Sequence, residues 1–194
     1  MLPQPLKNAL RGPMPVDFGA WAAKSRVLLG FAFALAFLIL SRPTGTSIAA
    51  GLPLAAAGLF IRGIAAGIIE KNATLATGGP FRYSRNPLYL GSFILGLGCV
   101  IAGASIPLTI AFVILFALIY IPVMRREEAY LRYLFGPEYD AYSRQTPLFF
   151  PIPGRASAGK AAFKWRRYWN NREYQAALGL VAIFLFLLVK SMVR

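Results

Sequence analysis

Five long apolar runs constrain the fold of this chain more than any other feature of its sequence. The runs are Phe18–Leu40, Ile48–Ile69, Leu88–Ala104, Ile106–Met124 and Tyr174–Met192. Each is close to the ~20 residues that a helix needs to cross the hydrocarbon core of a bilayer. The 194 residues are 57% hydrophobic and 14% charged, whereas soluble domains are roughly 45–50% apolar and about 25% charged. The sequence therefore predicts an all-α polytopic membrane protein of about five transmembrane helices, in one domain over residues 1–194.

The connections between these runs are of two kinds. Gly103–Pro107 interrupts an otherwise continuous apolar stretch, which predicts a tight hairpin between the third and fourth helices. Residues 70–87 and 125–173 are longer and charged. Within the second of these, Gly136 and Pro137 should end one amphipathic helix and begin a short second one. The two long connections are thus expected to form a partly helical cap at one face of the membrane.

The positive charge is distributed as a topology signal. The formal net charge is +14, and ten lysines and arginines lie between Arg125 and Arg172. On the opposite side of the predicted membrane there are only Arg42, Lys190 and Arg194. The positive-inside rule then predicts a cytoplasmic N-terminus, an outside C-terminus and cytoplasmic connections at 70–87 and 125–173. The charge is explained without a nucleic-acid partner, and a bacterial inner membrane or its equivalent is the expected location.

The titratable inventory excludes several chemistries. The chain has no histidine and one cysteine, Cys99, which lies inside an apolar run. A single cysteine forms no disulfide within the chain, and a buried thiol usually packs as a small hydrophobic group. Without histidine there is no imidazole base, no Ser-His-Asp triad and no histidine-bound metal. No metal site is expected.

Two basic features each allow two interpretations. Arg62 lies within the second apolar run, where a guanidinium either extends to the membrane interface or faces a water-accessible pocket. The segment Lys164–Trp169 is basic and aromatic and directly precedes the last run. Such a segment is typical of anchoring at the headgroup layer, and recruitment of a lipid substrate is the alternative.

The first candidate site motif is GPFRYSRNPLYLG, residues 79–91. Backbone amides at the start of the third helix can face an anion, and Arg82 and Arg85 add positive charge. Tyrosine rings can stack on a base or on a cation. The motif therefore indicates a binding loop, and an ordinary interfacial loop is the alternative.

The second candidate motif is Arg125-Arg126-Glu127-Glu128, at the predicted cytoplasmic end of the fourth helix. Successive residues of a helix point in different directions. One carboxylate can therefore bind ribose hydroxyls or an ammonium group while the other pairs with an arginine. A solvated helix end is the alternative interpretation.

Together the two motifs resemble those of a known superfamily. GPFRYSRNPLYLG, followed across a helical hairpin by RREEAYLRYLFGPEYDAY and a Pro-rich Leu-Phe-Phe-Pro, is similar to the isoprenylcysteine carboxyl methyltransferase and phospholipid methyltransferase superfamily. The resemblance covers roughly Arg62 to Pro151. It implies a helical membrane fold that uses S-adenosyl-L-methionine, with S-adenosyl-L-homocysteine as product. It also implies that the helical cap at the cytoplasmic face binds this cofactor.

The resemblance also assigns site residues by position. The residues that match the first cofactor motif are Gly79, Pro80, Tyr83, Arg85, Asn86, Pro87, Tyr89 and Gly91. Glu127 and Glu128 match the Glu-Glu pair of the family and are also expected to bind the cofactor. The residues implied near the reacting groups are Arg85, Arg125, Arg126 and Glu128.

One departure bears on the substrate. Many isoprenylcysteine-type members have histidine at the position of Asn86, and an asparagine side chain cannot titrate near neutral pH. Phosphatidylethanolamine-type members tolerate asparagine there, which favours an amine or lipid acceptor without deciding the matter. A carboxylate or thiolate acceptor would arrive anionic beside Arg85, Arg125 or Arg126, whereas a lipid amine has to lose a proton, to Glu128 or to water.

The leading hypothesis is S-adenosylmethionine-dependent methyl transfer to a lipid or a lipophilic small molecule at the cytoplasmic membrane face. The expected partners are the bilayer and that lipophilic substrate. A non-catalytic membrane scaffold or lipid-binding protein is the alternative from another class, and it would have no need for both carboxylates. A sterol- or isoprenoid-modifying reductase would need a nicotinamide cofactor, for which the sequence carries no signature.

Overall fold

The computed structural model describes residues 16–70, 73–152, 159 and 161–193, and all regular structure in those ranges is helical. The described ranges contain seven α-helices: α1 Val16–Leu40, α2 Gly45–Ile68, α3 Pro87–Ala102, α4 Ile106–Phe135, α5 Pro137–Gln145, α6 Trp165–Asn170 and α7 Tyr174–Met192. A 3-10 turn, Gly79–Arg82, precedes α3. Some charges used for the topology prediction lie outside the described residues: Lys7, Arg11, Lys71, Arg155, Lys160 and Arg194.

Three of these helices are long and apolar enough to cross a membrane, judged by length and composition: α2, α4 and α7. Two shorter apolar helices accompany them, Leu28–Leu40 within α1 and the 16 residues of α3. The prediction of an all-helical fold is confirmed for the described residues, where the predicted spans correspond to three long helices and two shorter ones. α3 ends at Ala102, two residues earlier than predicted, because Gly103 caps it and Ala104 has a φ of 49° in the turn that follows.

The predicted hairpin is present, since α3 and α4 pack against each other across that turn. α4 extends 11 residues beyond the predicted end of the fourth span at Met124, through both vicinal glutamates to Phe135. Gly136, with a φ of 51°, ends α4, and Pro137 begins α5, as the sequence predicts. The charged end of α4 and the short α5 form the helical part of the second connection.

The closest helix packing is between α2 and α3, which run antiparallel. A Cβ built on Gly58 would lie 2.6 Å from the carbonyl oxygen of Gly91, and one built on Gly98 would lie 2.6 Å from the carbonyl oxygen of Gly51. Small residues spaced in this way let two backbones approach in the absence of a hydrophobic driving force. We call this contact the glycine seam; it holds the start of α3 against the C-terminal half of α2.

Replacing Gly58 with alanine should lower the free energy of unfolding by roughly 1–3 kcal/mol, because the added methyl group meets the backbone of α3. Gly179 in α7 is the matched control, since nothing lies within 4 Å of a Cβ built there. Gly179→Ala should be neutral or stabilising by up to ~1 kcal/mol through helix propensity. Thermal unfolding in detergent checks both, and equal stability of the two variants would contradict the seam.

The apolar core joins all five apolar helices. Its buried members are Phe37, Ile48, Ala55, Cys99, Val100, Ala102, Leu108, Leu180, Phe184 and Leu187. Cys99 packs within this cluster, as the sequence predicts. The Lys190 ammonium of α7 donates to the carbonyl oxygen of Ile39 and to the Ser41 hydroxyl, both at 3.1 Å, and so binds the C-terminal end of α1.

Candidate functional site

The first motif folds as a compact turn at the start of α3. Gly79 has a φ of 59°, a conformation that favours glycine, and begins the 3-10 turn. Pro80 occupies the first turn of that element, and Pro87 occupies the first position of α3 behind Asn86, where its missing N–H costs nothing. Phe81 is buried in this turn, and its carbonyl oxygen accepts a 2.7 Å hydrogen bond from the Tyr142 hydroxyl. The turn is thereby joined to α5.

The two sequence motifs meet in one ion pair. The Arg85 guanidinium pairs with Oε1 of Glu128, and both side chains are mostly buried. The Tyr139 hydroxyl donates to the same Oε1 at 3.1 Å. One carboxylate oxygen of α4 therefore binds a side chain of the first motif and a side chain of α5.

Glu127, the neighbouring carboxylate, points elsewhere. It lines a cavity of about 140 Å³ together with Arg85, Tyr130 and Tyr142. The other lining residues are Ile69, Glu70, Thr74, Leu75, Ala76, Phe81, Leu131 and Phe135. Within the described part of the chain, the Glu127 carboxylate has no hydrogen-bond or ion-pair partner, and Nε of Arg85 is buried without one. The cavity lining thus includes an exposed, unpaired carboxylate and an arginine whose buried Nε lacks a hydrogen-bond partner, among aromatic and apolar side chains.

The remaining residues of the first motif lie outside this cavity lining. Tyr83 is exposed, and its ring is 5.5 Å from the Arg82 guanidinium carbon. Asn86 and Pro87 are buried, and the Tyr89 ring lies 5.5 Å from that of Tyr120. Gly91 belongs to the glycine seam, where a Cβ would lie 2.6 Å from Cγ of Arg62. Arg125 and Arg126 are exposed on α4. The roles expected for these residues stay predictions.

Residues 147–150 lie between Arg85 and a second, apolar cavity. The Arg85 backbone N–H donates to the Pro147 carbonyl oxygen at 2.9 Å, and the Asn86 amide donates to that of Leu148 at 3.0 Å. On the other side of this segment is a groove of about 350 Å³ between α3 and α4. It is lined by Phe93, Val113, Phe116, Ala117, Ile121, Met124, Arg125, Leu148, Phe149 and Phe150. Arg125 is the charged member of this lining.

Sequence reasoning assigned no role to Tyr139 and Tyr142. They lie three residues apart on α5 and are both buried, and that spacing within FGPEYDAY was the available signal. Burial, and next the carboxylate of Glu128, raise the pKa of Tyr139 to about 12. Burial also raises the pKa of Tyr142. Both hydroxyls therefore remain protonated hydrogen-bond donors across the physiological pH range.

These pKa shifts predict an alkaline loss of stability. An unfolded tyrosine ionises near pH 10, so stability should be fully present below about pH 10 and should fall as the pH rises towards 12. Tyr139→Phe should cost about 1 kcal/mol at neutral pH through the lost hydrogen bond, and should make the alkaline fall shallower. Melting temperatures from pH 8 to 12 test this. Tyr133→Phe, at an exposed position on α4, is the control and should follow the wild-type profile.

Arg62 and Glu70 both bind the segment around α6. Nε and Nη2 of Arg62 donate to Oε2 and Oε1 of Glu173 at 3.1 and 2.9 Å, and Nη1 contacts the Ser92 hydroxyl. Arg62 therefore neither extends alone to the interface nor faces an open pocket; it joins α2, α3 and the residue before α7. Glu70, a cavity residue, pairs with Arg167 of α6.

The described residues define an all-helical protein in which long apolar helices carry a charged and aromatic cavity beside an apolar groove. The family model for phospholipid methyltransferases matches residues 54–138. That range contains Gly58, Gly91 and Gly98 of the glycine seam, both sequence motifs and the Arg85–Glu128 pair. Over this segment the chain is similar to the phospholipid methyltransferase family.

Three curated proteins are similar to the chain. The cobalt-zinc-cadmium resistance protein CzcN of Cupriavidus metallidurans is 36% identical over 124 residues, covering 63% of this chain and 55% of that protein. The nickel-cobalt-cadmium resistance protein NccN of Alcaligenes xylosoxydans xylosoxydans is 43% identical over 84 residues, covering 42% and 38%. The protein-S-isoprenylcysteine O-methyltransferase of Schizosaccharomyces pombe is 31% identical over 83 residues, covering 43% and 35%.

The chain therefore spans about half or less of the length of these relatives. The similarity to the yeast enzyme agrees with the resemblance inferred from the motifs. No solved structure matches the chain significantly.

Proposed function

We propose that this chain is an S-adenosylmethionine-dependent membrane methyltransferase that acts on a lipophilic acceptor. The observation that carries the proposal is the cavity in which the two motifs meet, lined by Arg85 and Glu127 and bordered by the Arg85–Glu128 pair. The match of residues 54–138 to the phospholipid methyltransferase family model supports it. A scaffold would have no need for a buried, unsatisfied guanidinium donor and an unpaired carboxylate among the residues of one cavity.

The side chains of the cavity match the chemical groups of the cofactor. S-adenosylmethionine carries a carboxylate, an ammonium group, a sulfonium cation and an aromatic base. The buried, unsatisfied Nε of Arg85 is a donor suited to the carboxylate, and the Glu127 carboxylate suits a cationic group or ribose hydroxyls. Phe81, Tyr130 and Tyr142 offer aromatic surface for the base or the sulfonium. These residues would hold the cofactor.

The size of the cavity adds a requirement. Its volume of about 140 Å³ is below the roughly 300 Å³ at the lower end of small-molecule pockets. Binding a nucleoside-sized molecule therefore requires part of the wall to move. The cofactor should consequently bind with a measurable conformational change in the residues that line the cavity.

When bound, S-adenosylmethionine supplies an activated methyl group, so the protein mainly has to align the acceptor with it. Glu128 fits a positioning role better than that of a base, because its Oε1 already accepts from both Arg85 and Tyr139. Its contribution would be to hold Arg85 at the cavity wall. Of the two vicinal carboxylates, Glu127 is the one left available to bind a ligand.

The apolar groove is the proposed acceptor site. Its volume of about 350 Å³ and its phenylalanine lining suit an acyl or prenyl chain. Residues 147–150 separate the groove from the cavity. Pro147 accepts a hydrogen bond from the backbone N–H of Arg85, and Leu148 accepts one from the side-chain amide of Asn86. Arg125 supplies positive charge to its lining, which favours an acceptor that carries a carboxylate or thiolate over a lipid amine.

We also propose that the five apolar helices cross a bacterial inner membrane, or an equivalent one, with the N-terminus inside. In this topology the cavity faces the cytoplasm, from which a soluble cofactor enters, and the groove is reached from the lipid. The basic residues concentrated between Arg125 and Arg172 support this orientation. Cysteine-accessibility labelling at residues 42 and 144 tests it, because the two positions are expected on opposite sides of the membrane.

Calorimetric titration of the detergent-purified protein with S-adenosylmethionine and S-adenosylhomocysteine tests the proposed activity, with a nicotinamide cofactor as control. Saturable binding of both adenosyl compounds and none of the nicotinamide supports a methyltransferase. Binding of neither to folded protein would favour the scaffold, and binding of the nicotinamide alone would favour a reductase. An acceptor screen with labelled methyl donor should then compare prenylated thiols and carboxylates with phosphatidylethanolamine.

The relatives from metal-resistance systems suggest a biological setting for the same activity. CzcN is named for resistance to cobalt, zinc and cadmium and matches 63% of this chain. We propose that methyl transfer by this chain contributes to tolerance of such ions. Wild type and Arg85→Ala should be expressed in a bacterial host and grown on increasing cadmium. Higher tolerance with the wild type alone is expected, and equal growth of the two would refute the link.

A further inference from the structure

An exposed aromatic and basic surface lies directly before α7. We call it the α6 patch, and it consists of Phe163, Lys164, Trp165, Arg166 and Trp169. All five side chains are exposed, with relative exposures of 67% for Trp165 and 57% for Trp169. Two tryptophans exposed to this degree are unusual on a surface that faces only water. The apolar helix α7 begins five residues after Trp169, so the patch lies where the chain would enter a bilayer.

The charge of the patch is uncompensated. In the described ranges neither Lys164 nor Arg166 forms an ion pair with a carboxylate, whereas the neighbouring Arg167 pairs with Glu70. Unpaired cations beside exposed tryptophans are the combination that binds an anionic headgroup layer: the rings lie at headgroup depth and the cations contact phosphate groups.

The segment that carries the patch is hydrogen-bonded to the residues of α2 that lead into the wall of the candidate cofactor cavity. The Lys164 backbone N–H donates to the Gly67 carbonyl oxygen at 2.9 Å, and Arg167 Nη1 donates to that of Ile68 at 2.9 Å. Ile69 and Glu70, the next residues, line the cavity, and Glu70 is the partner of Arg167. The Phe163 ring also packs on Gly67. A ligand that holds α6 in place therefore also holds the last turn of α2.

From this geometry we infer that the α6 patch binds the headgroups of anionic phospholipids in the surrounding bilayer and thereby stabilises the cavity wall. If the stabilised wall is the one that binds the cofactor, anionic lipid should raise the affinity for S-adenosylhomocysteine. By linkage, S-adenosylhomocysteine should raise the affinity for anionic lipid by the same factor. The lipid site rests only on the proposed membrane insertion, and its effect on the cofactor rests on the proposed function. The two parts therefore need separate measurements.

Tryptophan quenching in nanodiscs tests the lipid site. Two disc preparations contain the same mole fractions of phosphatidylglycerol and phosphatidylcholine, with bromine on the acyl chains of one lipid or of the other. The wild type should be quenched at least twofold more strongly by brominated phosphatidylglycerol. Lys164→Gln/Arg166→Gln should abolish this preference. Arg42→Gln/Arg144→Gln, which removes two charges from other exposed positions, should retain it.

The possible outcomes separate the two parts. Equal quenching by both lipids in the wild type, or an unchanged preference in Lys164→Gln/Arg166→Gln, would assign the patch to another partner and overturn the proposal. Calorimetry then compares S-adenosylhomocysteine affinity in anionic and neutral discs. A threefold or greater gain in anionic discs, absent in that double variant, supports the linkage. Equal affinity in both discs refutes the linkage, and binding in neither refutes the methyltransferase while leaving the lipid result intact.

Discussion

Arg85→Ala is expected to reduce the proposed methyl transfer by about a hundredfold. The substitution removes a guanidinium that lines the candidate cavity and pairs with Glu128, and a hydrogen bond to a charged group is worth roughly 1.5–3 kcal/mol. The effect should appear as weaker calorimetric binding of S-adenosylhomocysteine and as less labelled methyl group in lipid extracts. Full activity would show that Arg85 is only an interfacial anchor.

Two comparisons distinguish loss of binding from loss of folding in that experiment. Arg132→Ala removes an exposed guanidinium that pairs with Asp140 at 2.7 Å on the same side of the molecule, and should change neither binding nor stability by much. Glu127→Gln and Glu128→Gln are each expected to abolish cofactor binding while the protein remains folded. Unchanged affinity in both glutamine variants would remove the Glu-Glu pair from the site.

Glu173→Ala should have the largest effect on stability, lowering the free energy of unfolding by about 3 kcal/mol. Only 8% of the Glu173 side chain is exposed, and the carboxylate accepts two hydrogen bonds from Arg62. Its removal leaves a mostly buried guanidinium without its counter-ion, which typically costs roughly 3–5 kcal/mol. The expected observation is a large fall in melting temperature in detergent.

The double variant Arg62→Met/Glu173→Leu provides the internal check on this prediction. Replacing both members of a buried pair with apolar groups is often neutral, so most of the lost stability should return. Asp140→Ala, which breaks the exposed pair with Arg132, should cost less than ~1 kcal/mol. If Glu173→Ala were no worse than Asp140→Ala, the Arg62–Glu173 contact would contribute little to the fold.

Much of the fold followed from the sequence because membrane-length apolar runs, glycine and proline are strong local signals. The hairpin at Gly103 and the break at Gly136-Pro137 were predicted from those residues and are present. The extension of α4 past Met124 was less apparent, since the hydropathy changes at Arg125 although the helix does not end there. Hydropathy indicates whether a helix is surrounded by lipid or by water, whereas the point at which it ends depends on capping residues such as Gly136.

The candidate site likewise has features that local motifs indicate and contacts that they do not. The resemblance implies that Arg85, Glu127 and Glu128 bind one cofactor, and the structure pairs Arg85 with Glu128 and has Arg85 and Glu127 line one cavity. Partners far apart along the chain were not predictable, because no local pattern indicates them. Arg62 seemed to lie alone, yet its partner Glu173 is 111 residues away. For Tyr139 and Tyr142, the sequence likewise offers only their three-residue spacing, and their burial is seen only in the structure.

The glycine seam has a consequence for how the cavity admits its ligand. Backbone packed on backbone cannot be compressed, so α2 and α3 form a fixed pair. Glu70 directly follows the C-terminal end of α2, and Arg85 lies just before the start of α3. The wall that moves must then be the end of α4 with α5, which carries Glu127, Glu128 and Tyr142. Widening the cavity would therefore have to overcome the Arg85–Glu128 pair and the Tyr142–Phe81 hydrogen bond, which join the two walls.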